Sequence, residues 1–387
     1  MENATLVIDM GTSTTRAGIG GDSEPMTTLS TVLGRPRASS SYSDEEINFF
    51  IGSNVYKNTS TYSIHYPMSG RSIKDFDDFA TFLHTLVTGH LNTSPGGHPL
   101  LLTVSPTETQ ENREALLQII FETFKFPAFY PASPNTLALY ASGTTTGIVV
   151  DSGESGTYIM PIFESYSIPY YSERLDVGGR HVTDILRKAL IQRGYSLRPG
   201  TERDVLSELK SQICYIAEDP TRVQDVPVKA FVTSDGLEIR LTSQAFLAPE
   251  VLFKPSMAGC SQKGTALLLA DVLSRVDEDI RPALAQNIVL AGGSTLFPGY
   301  PERIERALED TAASLNLNRS LNYSSFSNYS GGGNYRSGVR VVADSGRAGS
   351  IWVGGSIFAS LSTFSQLYIS RDEYEEEGTG ILQLKMY

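Results

Sequence analysis

Two short segments of the chain combine an aspartate, a glycine and hydroxyl side chains directly after an apolar run. The first is Asp9-Met-Gly-Thr-Ser13, after Leu6-Val-Ile8, and the second is Asp151-Ser-Gly-Glu-Ser155, after Ile148-Val-Val150. A buried strand that ends in such a turn places a carboxylate and several backbone N–H groups at one point, and glycine lets the backbone approach an anion closely. Two copies at the spacing of a domain predict a duplicated fold that holds one nucleotide by its phosphates.

The composition limits the functional classes. At 387 residues and 42.2 kDa the chain is long enough for two domains with separate cores. The formal net charge of −12 argues against direct binding to nucleic acid or to an anionic membrane, which both require clustered lysine and arginine. Its two cysteines, Cys214 and Cys260, lack the spacing of a zinc or disulfide framework. With no apolar run approaching about 18 residues, no membrane span is expected, and the composition favours a cytoplasmic protein.

The elements that must position the two turns repeat in order. Residues 4–10 and 15–20 have the pattern of two strands joined by the first turn, and residues 147–151 and 158–163 repeat it around the second turn. A further apolar run at residues 288–291 leads into a third glycine turn at Gly292 and Gly293. Between and after these hairpins the apolar spacing predicts helices.

Two stretches have no helical or strand period. Residues 38–46 are polar and are interpreted as a surface loop. Residues 313–337 are rich in serine, asparagine, tyrosine and glycine, and they carry too little apolar surface to form a core of their own. The second stretch is either a tolerated surface insertion or an interaction segment that uses its spaced tyrosines.

Longer blocks of the sequence resemble actins. The segment from Trp352-Val-Gly-Gly-Ser-Ile-Phe to Ser370-Arg-Asp-Glu-Tyr374 closely resembles the C-terminal region of actin. These blocks occur in actin order from residue 5 to the end, so the resemblance covers essentially the whole chain. The other matching blocks are Gly34-Arg-Pro-Arg37, residues 119–124, residues 139–153, Arg193-Gly-Tyr195 and residues 292–299.

The resemblance implies the actin-like ATPase fold. In that α/β fold two duplicated lobes, each with a mixed five-stranded sheet and helices, surround a nucleotide cleft. The first lobe would comprise residues 1–140 and 349–387, with a small outer subdomain at 31–66. The second would comprise residues 141–348, with an outer subdomain at 178–260 and the polar insertion at 313–337.

The same resemblance implies a Mg²⁺-bound ATP or ADP. Asp9 and Asp151 would hold the waters of the metal ion, because Mg²⁺ keeps most of its hydration shell. Arg16 stands where actins usually carry a phosphate-binding lysine, and it keeps the charge with a different shape. The other residues implied to contact nucleotide are Gly11, Thr12, Ser13, Gly153, Glu154 and Ser155 around the phosphates, and Gly179, Lys210, Gly292 and Gly293 around the purine and ribose. The alternative is that the turns serve folding only.

Several residues depart from the actin pattern. Pro134 occupies the position of the water-positioning glutamine, and proline has no side-chain hydrogen-bonding group. Tyr158 replaces the catalytic-site histidine. Ser133 and Asn135 flank the proline and could substitute for the glutamine. We therefore expect binding with a reshaped site and weakened or altered hydrolysis, so the chain would be at most a slow ATPase. Three residues near the purine also differ, namely Ser207, Ser211 and Ala348.

A surface groove is the remaining implied feature. In actins it receives partner helices and the neighbouring subunit. Its counterparts here are Tyr140, Tyr166, Ile357, Leu361, Thr363 and Leu367, although Ile357 and Leu361 could equally be core residues.

Three functional hypotheses follow from the resemblance and the departures. The first is a cytoplasmic cytoskeletal protein that binds Mg-ATP and self-associates into filaments, with actin-binding regulators at the groove. The second is a non-polymerising actin-related subunit of a larger complex, for which a nuclear location is also open. The third is a sugar-kinase-type enzyme, which would need a general-base aspartate and an enclosed sugar pocket that the sequence does not identify.

Overall fold

The computed structural model describes residues 4–37, 49–197, 202–223, 226–233, 236–312 and 338–385. The chain divides into two compact units, Met1–Ala141 with Gly349–Tyr387, and Ser142–Ala348. Both units combine sheets with helices, which confirms the predicted α/β class. The predicted surface loop at 38–46 and the predicted insertion at 313–337 lie outside the described residues.

The first unit is built on a mixed sheet of six described strands. Strand Leu6–Met10 is buried along its whole length, which explains its continuous apolar run. It pairs in parallel with Leu100–Thr103 and antiparallel with Thr14–Ile19. In sheet order the strands are Ile369–Ser370, Ala128–Ala132, Leu100–Thr103, Leu6–Met10, Thr14–Ile19 and Thr27–Ser30.

The sheet of the second unit repeats this arrangement. Strand Gly147–Ser152 is fully buried and pairs in parallel with Ile288–Ala291 and antiparallel with Thr157–Phe163. The other described strands of this sheet are Tyr166–Ser167, Glu173–Leu175 and Val341–Val342. The expected five strands per sheet are corrected to six in the described residues. Strands of two or three residues, such as Ile369–Ser370 and Glu173–Leu175, are too short to show an alternating pattern in the sequence.

Smaller sheets accompany each main sheet. The first unit has a three-stranded sheet of Phe50–Ile51, Leu33–Pro36 and Tyr62–His65, within the predicted outer subdomain. The hairpin Met68–Ser69 with Ser72–Ile73 follows it directly. The second unit has a hairpin of Lys229–Val232 and Glu238–Leu241.

The helices cover the sheets and carry several of the predicted site residues. In the first unit the α-helices are Asn54–Lys57, Phe76–Thr85, Gln110–Gln118, Pro134–Ala141, Ser350–Ala359, Arg371–Glu377 and Ile381–Lys385, with π-helical turns at Leu86–His90 and Ile119–Thr123. In the second unit they are Gly179–Gln192, Glu202–Ile213, Gln244–Leu247, Thr265–Arg275, Arg281–Ala285 and Tyr300–Ala312. Short 3₁₀ turns are Pro95–Gly97, Pro169–Tyr171, Pro249–Leu252, Pro255–Ala258, Gly293–Leu296, Phe364–Gln366 and Gly378–Gly380.

Helix Ser350–Ala359 fixes the strand that leads into the first turn. Trp352 is completely buried, and its Nε1 donates a hydrogen bond to the carbonyl oxygen of Val7 at 3.0 Å. Gly354 lies against helix Pro134–Ala141 so closely that a Cβ there would overlap the carbonyl of Leu137. The two helices therefore pack with their backbones in contact, and Trp352 ties one of them to the strand at Val7.

Candidate functional site

The two predicted turns share one backbone design. In the first unit the amide of Gly11 donates to the carbonyl of Thr14 at 3.1 Å, and in the second the amide of Gly153 donates to the carbonyl of Gly156 at 2.9 Å. The same hydrogen bond thus closes both turns at equivalent positions after the aspartate. In each turn the donor of this bond is a glycine. The predicted residues Thr12 and Ser13 lie within the first turn, and Glu154 and Ser155 lie within the second.

Asp9 lies at the carboxyl end of the first strand and is fixed from two sides. Thr103 Oγ1 donates to Asp9 Oδ1 at 3.1 Å and accepts from the amide of Met10 at 3.1 Å. Arg16 is the cross-strand partner of Asp9, with its Nη1 3.9 Å from Asp9 Oδ2. Thr103 was not among the residues predicted from the sequence. The available signal was that the apolar run 100–102 ends in the polar residue Thr103. The carboxyl ends of parallel strands meet at one edge of a sheet, so a polar residue at the end of this strand can lie beside Asp9.

The environment of Asp9 opposes an isolated negative charge. Burial raises the pKa of the Asp9 carboxyl, while the charges of Arg16 and Arg71 and the hydrogen bond from Thr103 lower it by smaller amounts. The charged form of a buried carboxylate is stabilised by a nearby cation or by the water molecules that surround a cation. The chemistry of this donor set therefore fits a hydrated divalent cation beside Asp9.

Asp151 occupies the equivalent place in the second unit. It is completely buried at the end of strand Gly147–Ser152, and its cross-strand partner is Tyr158. Tyr158 is also buried, and the guanidinium of Arg174 lies 5.4 Å from the centroid of its ring. The first hairpin therefore sets a cation opposite its aspartate, whereas the second sets an aromatic ring.

The third glycine turn packs directly against the end of this strand. Gly292 has φ of 84°, and a Cβ there would overlap the carbonyl of Ser152 and the carboxylate of Asp151. Only glycine satisfies both conditions. A Cβ at Gly293 would meet no atom within 4 Å, so the adjoining position is open.

The second turn is fastened to the N-terminus of helix Gly179–Gln192. The amides of Gly179 and Arg180 donate to the carbonyls of Gly153 and Glu154, both at 2.9 Å. Ser294 Oγ donates to the carbonyl of Gly153 at 2.9 Å as well. Ser294 could not be predicted from the sequence, because its partner Gly153 lies far away along the chain.

Lys210 reaches this same point from helix Glu202–Ile213. Its Nζ lies 3.3 Å from Glu154 Oε2 and donates to the carbonyl of Gly179 at 3.2 Å and to Thr183 Oγ1 at 3.1 Å. A Cβ at Gly179 would lie 2.7 Å from Glu154 Oε2 and 2.9 Å from Ser294 Oγ. The missing side chain of Gly179 thus leaves a polar cradle, and the structure brings the predicted residues Glu154, Gly179 and Lys210 together around it.

Pro134 is the first residue of helix Pro134–Ala141, a position that suits proline. The amide of Val104 donates to the carbonyl of Ala132 at 2.9 Å, which sets this helix start beside the end of strand Leu100–Thr103. Ser133 Oγ and Asn135 Nδ2 are buried and make no hydrogen bond within the part of the chain that the structure describes. The helix start near Asp9 therefore holds two polar groups whose hydrogen-bonding capacity a ligand or water could use.

The predicted groove residues are largely exposed. In the first unit Ile357, Leu361 and Leu367 are 45%, 48% and 43% exposed, which excludes the alternative that Ile357 and Leu361 are core residues. Thr363 is also exposed. Tyr140 is half-buried and stacks on Phe358, with ring centroids 5.7 Å apart. In the second unit Tyr166 is 79% exposed.

Two further findings bear on the class of protein. Among the helices that the structure describes, none has the length and apolar character needed to cross a membrane. The protein-family model described as Actin matches residues 1–387, which is the whole chain.

Proposed function

The chain belongs to the actin family, and from that membership we propose that it binds Mg-ATP through its two turns and assembles into filaments with weakened or altered ATP hydrolysis. The observation that best supports nucleotide binding is the matched pair of hairpins. In each hairpin a buried aspartate lies near the end of the first strand, and the turn that follows is closed by the same hydrogen bond from a glycine amide. Because both units keep this geometry, ligand binding at the turns is favoured over a role in folding alone.

Each unit would contribute different groups. Asp9 and Asp151 would hold waters of the metal ion, and Arg16 would contact the phosphates from beside Asp9. Bound Mg²⁺ would supply charge neutralisation at the phosphates. The cradle of Glu154, Gly179 and Lys210 would take the ribose side of the nucleotide, where Glu154 can accept hydroxyl hydrogen bonds.

We infer slow hydrolysis from one residue in each unit, Pro134 in the first and Tyr158 in the second. Attack by water on a terminal phosphate needs a group that orients the water. Pro134 offers none, and Tyr158 is buried with its ring beneath Arg174. Ser133 and Asn135 are the nearest candidates in sequence to replace the missing group.

Filament assembly is supported by the apolar surface of the first unit. Ile357, Leu361 and Leu367 expose large apolar side chains to solvent, which is costly unless a partner covers them. We propose that a second copy of the chain or an actin-binding regulator covers this groove. Such a protein would belong to the cytoplasmic cytoskeleton.

High-speed sedimentation of the pure protein with and without Mg-ATP tests the proposal. We expect pelleting above a critical concentration with Mg-ATP, and much less pelleting when EDTA removes the metal. Equilibrium binding of ATP is measured on the same samples. A protein that binds ATP but stays soluble at every concentration would favour the non-polymerising subunit of a larger complex. A protein that binds no nucleotide would overturn the proposal as a whole.

A further inference from the structure

A serine, a histidine and an aspartate of the first unit follow one another through hydrogen bonds, and none of them belongs to the two turns. Ser63 Oγ lies 3.2 Å from His65 Nε2, and His65 Nδ1 lies 3.1 Å from Asp78 Oδ2. Ser63 and His65 are two positions apart on strand Tyr62–His65, so their side chains leave the same face of the sheet. Asp78 comes from helix Phe76–Thr85. Strand and helix thus bring together a nucleophile, a base and an acid that orients the base.

Asp78 is held firmly at the buried end of this arrangement. It is 4% exposed, and its Oδ1 accepts from Arg35 Nε at 2.6 Å and also pairs with Arg35 Nη2. Its amide donates to Asp75 Oδ1 at 2.8 Å, which caps the helix. A buried carboxylate requires such partners. The position of Asp78 is therefore set from two sides, with its second oxygen left for His65.

The carboxylate of Asp78 determines which nitrogen of neutral His65 carries the hydrogen. An ionised carboxylate only accepts hydrogen bonds, so Nδ1 must be the donor, and the lone pair is then on Nε2. Nε2 faces Ser63 Oγ and can accept the hydroxyl proton. The same hydroxyl has a second acceptor, the carbonyl of Arg35 at 3.1 Å. His65 can therefore act as a base toward Ser63 when the hydroxyl is turned to Nε2.

Reagents from solvent can reach the serine and the histidine. The side chain of His65 is 36% exposed, whereas that of Asp78 is 6% exposed. Ser63 is half-buried. The acid is covered while the nucleophile and the base remain accessible, which is the division that a nucleophilic site needs.

We propose that Ser63 is a nucleophile that takes an acyl group from a small aryl ester, with His65 as its base and Asp78 as the group that positions His65. Ser63 Oγ forms a bond to the acyl carbon, the bond from that carbon to the phenolate oxygen breaks, and the hydroxyl proton passes to His65 Nε2. Asp78 stabilises the imidazolium that results. A phenolate leaves without being protonated, so an aryl ester makes the smallest demand on the site.

The acyl group is released in a second step. His65 first loses its proton to the solvent. Water then attacks the acyl carbon of the Ser63 ester, a carboxylic acid leaves, and Ser63 Oγ regains a hydrogen. This reaction does not depend on the proposed nucleotide binding.

A purely structural role for the three residues predicts a different behaviour. In that case their hydrogen bonds only join the three-stranded sheet to helix Phe76–Thr85. Ser63 would then react with an ester no faster than any other accessible serine.

The test treats the full chain with p-nitrophenyl acetate. Release of p-nitrophenolate is followed by absorbance, and mass spectrometry after an acid quench measures the acetyl group on each serine. The variants are Ser63→Ala, His65→Gln and Asp78→Asn, and their Tm values report folding. Ser72→Ala is the matched control, because Ser72 is a half-buried serine of a nearby strand.

We expect rapid acetylation of Ser63 in the wild type, and in Ser72→Ala at the same rate. Ser63→Ala should lose the fast phase of phenolate release. His65→Gln keeps a hydrogen-bonding amide but no base, so it should slow acetylation of Ser63 by about a hundredfold without a large change in Tm. Asp78→Asn should slow it as well, because an amide donor at this position favours the opposite tautomer of His65.

Two results would overturn the inference. The first is a wild-type protein in which Ser63 is acetylated no faster than Ser72. The second is a His65→Gln variant that acetylates Ser63 at the wild-type rate. Should Asp78→Asn fail to fold because Arg35 loses its partner, these two comparisons still decide the matter.

Discussion

Lys210 Nζ lies 3.3 Å from Glu154 Oε2 and also donates to the carbonyl of Gly179. One ammonium group thereby joins helix Glu202–Ile213 to the second turn and to the start of helix Gly179–Gln192. All three predicted residues meet although they come from separate segments of the chain. The cradle that they form depends on the absence of a side chain at Gly179.

Gly179→Ala should therefore reduce nucleotide affinity while the protein still folds. The added methyl group would lie 2.7 Å from Glu154 Oε2 and 2.9 Å from Ser294 Oγ, so those side chains must move into the cradle. Because φ at Gly179 is not in the positive range and alanine suits a helix start, we expect little loss of stability. We expect at least about a tenfold loss in ATP affinity, measured by titration, since misplaced polar groups are costly.

Gly97→Ala is the matched control for this variant. A Cβ there meets no atom within 4 Å, and Gly97 also has no positive φ. Its ATP affinity should equal that of the wild type. Equal affinities for Gly179→Ala and Gly97→Ala would show that the cradle does not contact nucleotide.

Asp9→Asn should stabilise the nucleotide-free protein and weaken Mg-ATP binding. Burial raises the pKa of the Asp9 carboxyl, so the charged form is disfavoured in the folded state. Asparagine keeps an acceptor for Thr103 Oγ1 without that charge. We expect a higher Tm without ligand and at least about a tenfold weaker affinity for Mg-ATP, as for other groups that orient metal ligands. Thermal unfolding, reported by the buried Trp352, and ATP titration measure the two effects.

The pH dependence gives an independent check on Asp9. Because its folded pKa is raised above the unfolded value of 3.8, the folded state binds the proton more tightly. The stability that this proton contributes is present below 3.8 and is lost as pH rises through the folded pKa. The Tm advantage of Asp9→Asn should therefore be small near that lower limit and grow as pH increases. An advantage that does not change with pH would contradict this account.

Pro134→Gln should increase ATP turnover. Glutamine at the start of helix Pro134–Ala141 provides an amide that can orient water, which proline cannot. We expect a rise of about a hundredfold in phosphate release, the lower end of the range for one positioned catalytic group. Phosphate release is measured at saturating Mg-ATP, with Pro134→Ala as the control that removes the ring but adds no amide. Equal rates in the two variants would mean that hydrolysis is limited elsewhere.

Acidification should destabilise the second unit through His181. The amide of Gly178 donates to His181 Nδ1 at 3.1 Å, so this nitrogen must be unprotonated. Burial, with a smaller contribution from the charge of Arg180, lowers the pKa of His181 below 6.5. The unfolded chain then binds the proton more readily, and stability falls as pH drops below 6.5 through the folded pKa.

Urea unfolding of the wild type and His181→Gln over this pH range measures the effect. Glutamine can accept the Gly178 hydrogen bond through its carbonyl but does not titrate. The wild type should lose more stability than the variant on acidification. Identical pH profiles would exclude His181 as the responsible group.

The sequence by itself determined the features that are local. Asp9 and Asp151 could be identified because the apolar strand and the glycine turn that mark each of them are consecutive in the sequence. The α/β fold could be predicted because long blocks of the sequence resemble actins. The short edge strand Ile369–Ser370 could not be identified, because two residues show no period.

Tertiary structure alone decided which distant residues share a site and which apolar residues reach the surface. Thr103 at Asp9, Ser294 at Gly153 and Arg71 at Thr12 are contacts between segments far apart in the chain. An isoleucine or leucine in the sequence is compatible with either a core or a surface position, so the exposure of Ile357 and Leu361 was evident only from the folded structure. The physical reason is that hydrogen bonds and burial depend on distances in space, whereas sequence patterns report only the preferences of neighbouring residues.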